Sequence, residues 1–235
     1  MKRIIFTLLF VVSFCVAVYS VYILFVNYNK YQQSAGKYED VKKLYEEANV
    51  NEVNTSKQEN LKEINSDYVG WISIANTNVN YPVVQGIDNF FYLSHNFYKE
   101  EDFVGSIFLD ERNSLNPVDQ HLILYGHNMK DRSMFGSLRN YLDEEFYRSH
   151  KFITFDLLDT TYEWEVFSIY KTEDVDWMKT SFEKDSDFEK FVNNLKQQSI
   201  VPIEVEVKKE DRILTLSTCT NATETERVIV HAKLK

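Results

Sequence analysis

An uncharged apolar run of 23 residues, Ile4 to Val26, is the feature that most constrains this chain. At about 1.5 Å per residue, a helix of that length spans about 34 Å, which is enough to cross a hydrocarbon core about 30 Å thick. A secretory signal peptide has a shorter apolar region, of roughly 7–15 residues, followed by a small-residue cleavage site. The run therefore predicts an uncleaved signal-anchor.

The charges beside this run predict its orientation. Lys2 and Arg3 precede it, and positive residues at the end of a membrane span favour the cytoplasmic side. We therefore expect residues 1–26 to form a cytoplasmic tip and a single membrane span through residues 4–26. Everything after Asn27 is then expected outside the cell.

The outer part of the chain is acidic. Of the 26 basic residues, Lys2 and Arg3 lie before the span, which leaves 24 basic against 36 acidic residues and a charge of about −12. Binding to nucleic acid requires a basic face, so we expect no nucleic-acid partner. We expect the part after the span to be a monomer, because every long uncharged run lies before residue 27.

A helical stalk is predicted over residues 27–66. This segment is rich in Lys and Glu, and apolar side chains recur there at helical spacing, at Tyr38, Val41, Tyr45 and Ala48. Ser56 to Glu59 matches a capping box that opens a second helix, with Leu61 and Ile64 on one side. The helices are expected to pack on the domain that follows them.

A β-rich domain is predicted over residues 67–235. Short apolar runs alternate there with polar turns, at residues 71–84, 105–110, 121–127, 151–155, 162–170, 203–209, 212–219 and 227–234. Eight such runs at close spacing favour a mainly β fold, a closed antiparallel barrel of about eight strands. Helices are predicted at residues 133–142 and from a capping box at Ser186 to Glu189. The second helix is inserted before the last three strands and is predicted to bury Phe188, Phe191, Val192 and Leu195.

Three polar residues at strand ends supply the chemical groups that a catalytic thiol requires. Cys219 is the only cysteine outside the N-terminal 26 residues, and Arg227 and His127 begin or end other strand-like runs. Strand parity places Cys219 and Arg227 on one face if their strands form an antiparallel hairpin. A thiol nucleophile needs an imidazole for proton transfer and a donor for the developing oxyanion.

Plainer interpretations of these residues remain open at this stage. A lone cysteine is often a small buried hydrophobe. His127 suits a hydrogen-bonded surface position, and Arg227 suits a weak ion pair with Glu224 or Glu226. The histidines lack zinc-site spacing and no second cysteine is at hand, so we expect no metal and no cofactor.

The segments that carry these residues resemble the class B sortases, membrane-anchored cysteine transpeptidases of Gram-positive bacteria. The likeness extends from about residue 66 to the C-terminus. It is carried by TLSTC at 215–219 with an arginine eight residues on, by LYGHNMKDRSMFGSL around His127, and by GSIFLDERN and NFFYLSHNF.

The resemblance implies roles for particular residues. Cys219 corresponds to the nucleophile, His127 to the general acid/base and Arg227 to the clamp on oxyanion and substrate. Substrate-groove positions of the family fall on Ser217, Asn89, Leu93, Trp177 and Met178. The family cleaves an N-P-x-T-x-like sorting signal of secreted proteins after Thr, and passes the acyl group to an amine of the peptidoglycan precursor.

Two rival functions remain beside this one. A membrane-tethered cysteine peptidase of the caspase-like kind would hydrolyse its substrate, and it requires a parallel α/β sheet with a helix after each strand. A non-enzymatic extracellular binding module would contain an inert, buried Cys219. Thiol reactivity distinguishes the binding module from an enzyme.

Overall fold

The computed structural model describes residues 2–50, 56–115, 118–157, 160–219 and 226–235, and for residues 48–50, 56–58 and 219 it describes the backbone only. There are four α-helices in these residues: α1 (Lys2–Val50), α2 (Ser56–Ile64), α3 (Glu144–Ser149) and α4 (Asp185–Gln198). The strands are β1 (Tyr68–Ser73), β2 (Asn80–Val84), β3 (Ile107–Leu109), β4 (His121–His127), β5 (Phe152–Leu157), β6 (Thr160–Thr172), β7 (Ile213–Cys219) and β8 (Arg227–Leu234). The chain forms two compact units, Met1–Asp40 and Val41–Lys235.

The predicted apolar helix is present in the first unit. The window that qualifies as a membrane span lies within α1, with a mean hydropathy of 2.6 and none of its residues buried. Its apolar side chains, from Ile4 to Phe25, are exposed. Helix α1 is therefore long and apolar enough to cross a membrane.

The second unit is built on a closed barrel of eight strands, in the order β1-β2-β3-β4-β7-β8-β6-β5. This confirms the predicted closed barrel. Six neighbouring pairs are antiparallel, but β2 pairs with β3, and β4 with β7, in parallel. The barrel is therefore mixed rather than wholly antiparallel.

Two of the predicted strand runs differ from the structure. Residues 71–84 form parts of two strands, β1 and β2, joined by a turn in which Asn76 adopts a φ of 58°. Residues 203–209 form no strand, although burial alternates there between Val205 and its exposed neighbours Glu204 and Glu206. Strand β7 is already paired on both sides, with β4 and β8, so the extended segment finds no free edge. Helix α4 consequently precedes the last two strands, not the last three.

The inserted helix α4 begins at Asp185, and Lys184 is its N-cap without a side-chain cap, so the predicted capping box at Ser186 is wrong. The predicted apolar face is correct for Phe188, Val192 and Leu195, which are buried. The region predicted as a helix at 133–142 forms a 3₁₀ helix, Gly136–Leu142, followed by α3.

The second unit includes the end of α1, from Val41, and helix α2. Val41 is fully buried, and the ring of Tyr45 stacks on Trp71 with centroids 4.0 Å apart. The Tyr45 hydroxyl donates to the carboxylate of Asp156. In α2, Leu61 is buried whereas Ile64 is exposed. Val41 and Tyr45 of the predicted apolar stripe thus pack within the second unit, while the side chain of Ala48 lies outside the described residues.

One face of four neighbouring strands, β4, β7, β8 and β6, carries three of the predicted site residues, Ser217, His127 and Arg227. The register pairs Tyr125 with Ser217, and Ser217 with Ile229, so these side chains lie on the same side of the sheet. By the same parity, His127 and Arg227 lie at one end of this side. We call it the cleft face.

Further along the cleft face, four buried polar side chains form a hydrogen-bonded chain. His121 Nδ1 lies 2.6 Å from the carbonyl oxygen of Lys179, and His121 Nε2 lies 2.6 Å from the Thr215 hydroxyl. That hydroxyl is 2.7 Å from His231 Nδ1, and His231 Nε2 is 2.9 Å from the Tyr170 hydroxyl. His121, Thr215 and His231 are completely inaccessible to solvent.

Both histidines of this hydrogen-bonded chain, His121 and His231, are uncharged near neutral pH. Burial lowers the pKa of His121 to about 4. Burial also lowers the pKa of His231 well below its ordinary value, and the neighbouring His121 adds to this effect. The energetic cost of burying these polar groups is offset because each one is hydrogen-bonded.

We expect stability to fall as the pH is lowered from about 6.5 towards 4. Unfolding returns both histidines to an ordinary pKa near 6.5, so in this window the unfolded chain binds more protons than the folded one. Each histidine then contributes a slope of up to about 1.4 kcal/mol per pH unit. Urea unfolding of the full-length protein in detergent, followed by the fluorescence of the buried tryptophans, measures this slope.

The control for this measurement is His95→Gln. It removes a histidine that is not part of the hydrogen-bonded chain, and it should leave the slope unchanged. An unfolding free energy that is constant between pH 7 and pH 5 would show that the two histidines bind protons equally in the folded and unfolded protein, and it would refute their lowered pKa.

Candidate active site

The parallel pairing of β4 with β7 brings two predicted site residues together. Its register matches each residue from His121 to His127 with one from Ile213 to Cys219, so the backbones of His127 and Cys219 are direct neighbours. The antiparallel pairing of β7 with β8 matches Ser217 with Ile229. The pairing ends there, and continuing the same register by two residues would place Cys219 across from Arg227. The predicted antiparallel hairpin is therefore present, and all three backbones meet at one rim of the barrel.

His127 is held in one orientation by its surroundings. Its Nε2 lies 2.6 Å from the carbonyl oxygen of Leu93, and because a carbonyl only accepts, Nε2 carries the proton. Its Nδ1 is buried and has no hydrogen-bond partner among the described atoms. Gly105 lies against the ring, with a φ of 59° that side chains disfavour. His127 is thus not a solvated surface residue, and it has one nitrogen available for proton exchange.

A cleft of about 290 Å³ opens beside His127. Its wall is mostly apolar, with a single guanidinium at the rim, and it is lined by Asn89, Phe90, Leu93, Phe108, Tyr125, His127, Met178 and Arg227. A mostly apolar cleft with a few convergent polar groups is the usual form of a ligand site.

The predicted site residues divide into two groups in the structure. Asn89, Leu93 and Met178 line the cleft together with His127 and Arg227. Ser217 and Trp177 do not line it; Ser217 is completely buried on β7, and Trp177 is 1% exposed. For Cys219, the structure describes the strand position, while its side chain lies outside the described part of the chain.

Sequence reasoning missed Phe90, Phe108 and Tyr125 as lining residues. Two signals were available for them. Tyr125 lies two residues before His127 on the same strand and therefore on the same face. Phe90 directly follows Asn89. Phe108 had no comparable signal in the sequence. It lies on the three-residue strand β3, and only the pairing of β3 with β4 places it beside Tyr125.

A buried carboxylate supports the floor of the cleft. Asp110 accepts hydrogen bonds from Tyr125 Oη at 2.7 Å and from Arg112 Nε and Nη2 at 2.8 and 2.7 Å. Burial on its own raises the pKa of Asp110, but the hydrogen bonds from Arg112 and Tyr125 outweigh it and hold the pKa below its ordinary value. Arg112 also donates to the carbonyl oxygen of Met178 at 3.0 Å. Two residues that line the cleft, Tyr125 and Met178, are therefore linked through Asp110 and Arg112.

Arg227 is half-buried and faces the cleft instead of pairing with its acidic neighbour. Glu226 forms an ion pair with Lys171 at 2.9 Å, and Glu224 lies outside the described residues. Burial raises the pKa of Tyr125, with Asp110 adding to the effect, whereas the charges of Arg112 and Arg227 oppose it. Arg227 therefore exerts its charge on the cleft.

The barrel itself rules out one rival. A caspase-like peptidase requires a parallel α/β sheet with a helix after each strand. Here the described strands close into a barrel with six antiparallel pairs, and the last two strands follow each other without a helix between described residues.

Comparisons with known proteins agree with this geometry. The model of the sortase domain matches residues 72–235. Sortase B of Listeria monocytogenes is 39% identical over 213 residues, covering 88% of this chain and 86% of the relative. Sortase B of Staphylococcus aureus is 44% identical over 179 residues, covering 75% and 73% of the two chains.

Solved structures give the same result. A crystal structure of sortase B complexed with triglycine matches with a TM-score of 0.82 and 39% identity, over 87% of this chain and 98% of that one. A sortase B–substrate complex from Staphylococcus aureus matches with a TM-score of 0.81 and 39% identity, over 87% and 97%. With the family model, the relatives and the barrel in agreement, this chain belongs to the sortase family, as a cysteine transpeptidase of the sortase B type.

Proposed function

We propose that this transpeptidase cleaves an N-P-x-T-x-like sorting signal of secreted proteins after Thr and joins the Thr carbonyl to an amine of the peptidoglycan precursor. The observation that carries the proposal is the in-register pairing of His127 with Cys219 beside a cleft that contains Arg227. The sortase B complexes with triglycine and with substrate support a peptide signal and an amine acceptor.

The first half-reaction acylates the enzyme. The Cys219 thiolate attacks the Thr carbonyl carbon, and its electron pair forms the new C–S bond. Arg227 stabilises the negative charge that develops on the carbonyl oxygen. As the C–N bond breaks, His127 gives its proton to the departing amine and becomes neutral. The product is a thioester on Cys219 and a free C-terminal peptide.

The second half-reaction transfers the acyl group. The acceptor amine attacks the thioester carbon and loses a proton to His127, and the C–S bond breaks to regenerate the thiolate. Since Nε2 of His127 is engaged by the Leu93 carbonyl, Nδ1 is the nitrogen that exchanges the proton. Water in place of the amine would give hydrolysis by the same steps.

The cleft residues have distinct roles in this scheme. Asn89, Leu93 and Met178 contact the sorting peptide directly, as their positions in the wall of the cleft favour. Ser217 and Trp177 support that wall from behind, because both are buried. The mostly apolar lining suits a short peptide with small side chains better than a charged one.

The enzyme is proposed to work outside the cell, attached to the cytoplasmic membrane by residues 4–26. The length and hydropathy of helix α1 support the span, and Lys2 and Arg3 before it favour a cytoplasmic N-terminus. This arrangement would place the domain of residues 67–235 near the membrane, with residues 27–66 as the connecting helices.

Substitutions in the three central residues test the mechanism. Cys219→Ala and His127→Ala should abolish cleavage of a sorting peptide. Arg227→Lys should lower kcat/KM by about 10²–10³-fold, because lysine keeps the charge but lacks the planar fork that can hold one oxygen with two donors. A peptide with a fluorophore and a quencher on either side of the scissile bond reports the rate.

Arg148→Lys is the matched control, since Arg148 is exposed on α3 and pairs with Glu144 away from the cleft. It should be indistinguishable from the unsubstituted protein. Near-normal turnover by Arg227→Lys would remove the guanidinium fork from the mechanism.

Trapping the intermediate distinguishes a transpeptidase from a hydrolase. Rapid quenching in acid should yield a thioester on Cys219, identified from the mass of its tryptic peptide. Adding a glycine peptide with a free amino end should convert the product from the free acid to the amide. If the amine never diverts the product, the acceptor part of the proposal is wrong, and a trapped mass on another residue would refute the role of Cys219.

Alkylation from outside the cell tests both the orientation and the reactive thiol. A membrane-impermeant maleimide added to protoplasts should label Cys219, because a cysteine in a groove reacts whereas an inert buried cysteine does not. Cys15 lies within the span and should stay unlabelled. Labelling only after the protoplasts are lysed would place the domain in the cytoplasm, and no labelling of the folded protein would favour the binding module.

A further inference from the structure

We propose that His121 is a positioning residue for the cleft: the buried hydrogen-bonded chain fixes its ring so that Nδ1–H holds in place the wall segment, residues 176–179, which presents Met178 to the cleft. The inference rests on the proposed function, in which Met178 contacts the sorting peptide.

The wall has little internal structure of its own. It contains one turn of 3₁₀ helix, Asp176–Met178, closed by a backbone hydrogen bond from Met178 to Val175 at 2.9 Å. Trp177 anchors it locally, since its indole donates to the carbonyl oxygen of Asp174 at 2.9 Å and its ring lies 6.3 Å from that of Tyr125. So short a turn depends on outside contacts for its position.

Two donors from the barrel hold consecutive carbonyl groups of the wall. Arg112 Nη2 lies 3.0 Å from the Met178 oxygen, and His121 Nδ1 lies 2.6 Å from the Lys179 oxygen. The Arg112 side chain is 44% exposed, so water competes for its hydrogen bond. His121 is 0% exposed, and a hydrogen bond shielded from water is the stronger constraint.

The acceptor at the end of the chain determines the direction of every hydrogen bond in it. A carbonyl only accepts, so His121 Nδ1 donates to Lys179, and Nε2 of the neutral ring must accept from the Thr215 hydroxyl. The Thr215 oxygen then accepts from His231 Nδ1, and His231 Nε2 accepts from the Tyr170 hydroxyl. All four donors thus point one way, and the chain keeps the His121 donor aimed at the wall.

The chain also lies on the strands that carry the proposed catalytic residues. Thr215 precedes Cys219 by four residues on β7, and His121 precedes His127 by six residues on β4. The cleft face is therefore continuous from the buried chain to the cleft. A role in stability alone would not require His121 Nδ1 to donate to the Lys179 carbonyl, which lies in the loop beside the cleft and not on a strand.

Thr215→Val tests the inference, because valine has nearly the shape of threonine and lacks the hydroxyl that links the two rings. We expect KM for the sorting peptide to rise on the order of tenfold with kcat changed less than about twofold, since a displaced wall weakens binding but leaves the reacting groups in place. Thr215→Ser, which restores the hydroxyl, should recover most of the original KM.

Ser168→Ala is the matched control for a purely structural effect. Ser168 is also completely buried, and its hydroxyl donates to the Leu195 carbonyl at 2.6 Å, outside the chain. This variant should be less stable with an unchanged KM. If Ser168→Ala raises KM as much as Thr215→Val does, or if Thr215→Val lowers kcat and leaves KM unchanged, the inference is overturned.

A measurement without substrate separates this inference from the proposed function. In the full-length protein with ¹³C-methyl methionine, Thr215→Val should shift or broaden the Met178 signal and leave that of the buried Met134 unchanged. An unchanged Met178 signal refutes the inference. If no signal peptide is ever turned over, the proposed function fails while this measurement still decides the role of His121.

A second measurement needs no variant, in case Thr215→Val does not fold. The ¹⁵N shifts of His121 in the unsubstituted protein should show a protonated Nδ1 and a bare Nε2. The opposite tautomer would leave no donor for the Lys179 carbonyl, and it would overturn the inference.

Discussion

The parallel ladder between β4 and β7 is the interaction on which the rest of the structure depends. Its two strands end at the same rim because they run in the same direction, and only for that reason do His127 and Cys219 become neighbours. The two residues are 92 positions apart in the sequence. The chain between them forms β5, β6 and α4. The loop from β6 to α4 contains Met178, which lines the cleft.

The cleft face combines a dry part and an open part on the same four strands. In the dry part, His121, Thr215, His231 and Tyr170 form a chain of hydrogen bonds whose donors all point the same way, and each of these side chains has a partner. In the open part, side chains of β4 and β8 line the cleft, and His127 keeps one nitrogen without a described partner. Satisfied polar groups make a rigid base, and the unsatisfied nitrogen is where proton transfer is expected.

The sequence predicted those features that depend on local patterns. The uncharged run, the apolar face of α4 and the hairpin of β7 with β8 were correct, because periodicity and parity act over a few residues. The run 203–209 was misassigned since a period of two reports one buried face and says nothing about a hydrogen-bonded partner. The parallel pairs had no local signal, because they join distant strands. Trp177 and Met178, adjacent in sequence, point to different surroundings, which only the turn at 176–178 determines.

Closure of the barrel limits how the enzyme can recognise a peptide. Each of the eight described strands has a hydrogen-bonded neighbour on both sides, so none is a free edge along its whole length. A peptide therefore finds no complete strand edge to which it could add itself as one more strand, the mode of recognition called β-augmentation. Selectivity must come from side chains and loop carbonyls around the cleft, and a change in preferred signal can arise by altering loops without disturbing the ladder. The same lack of a complete free edge also disfavours association of neighbouring copies strand to strand.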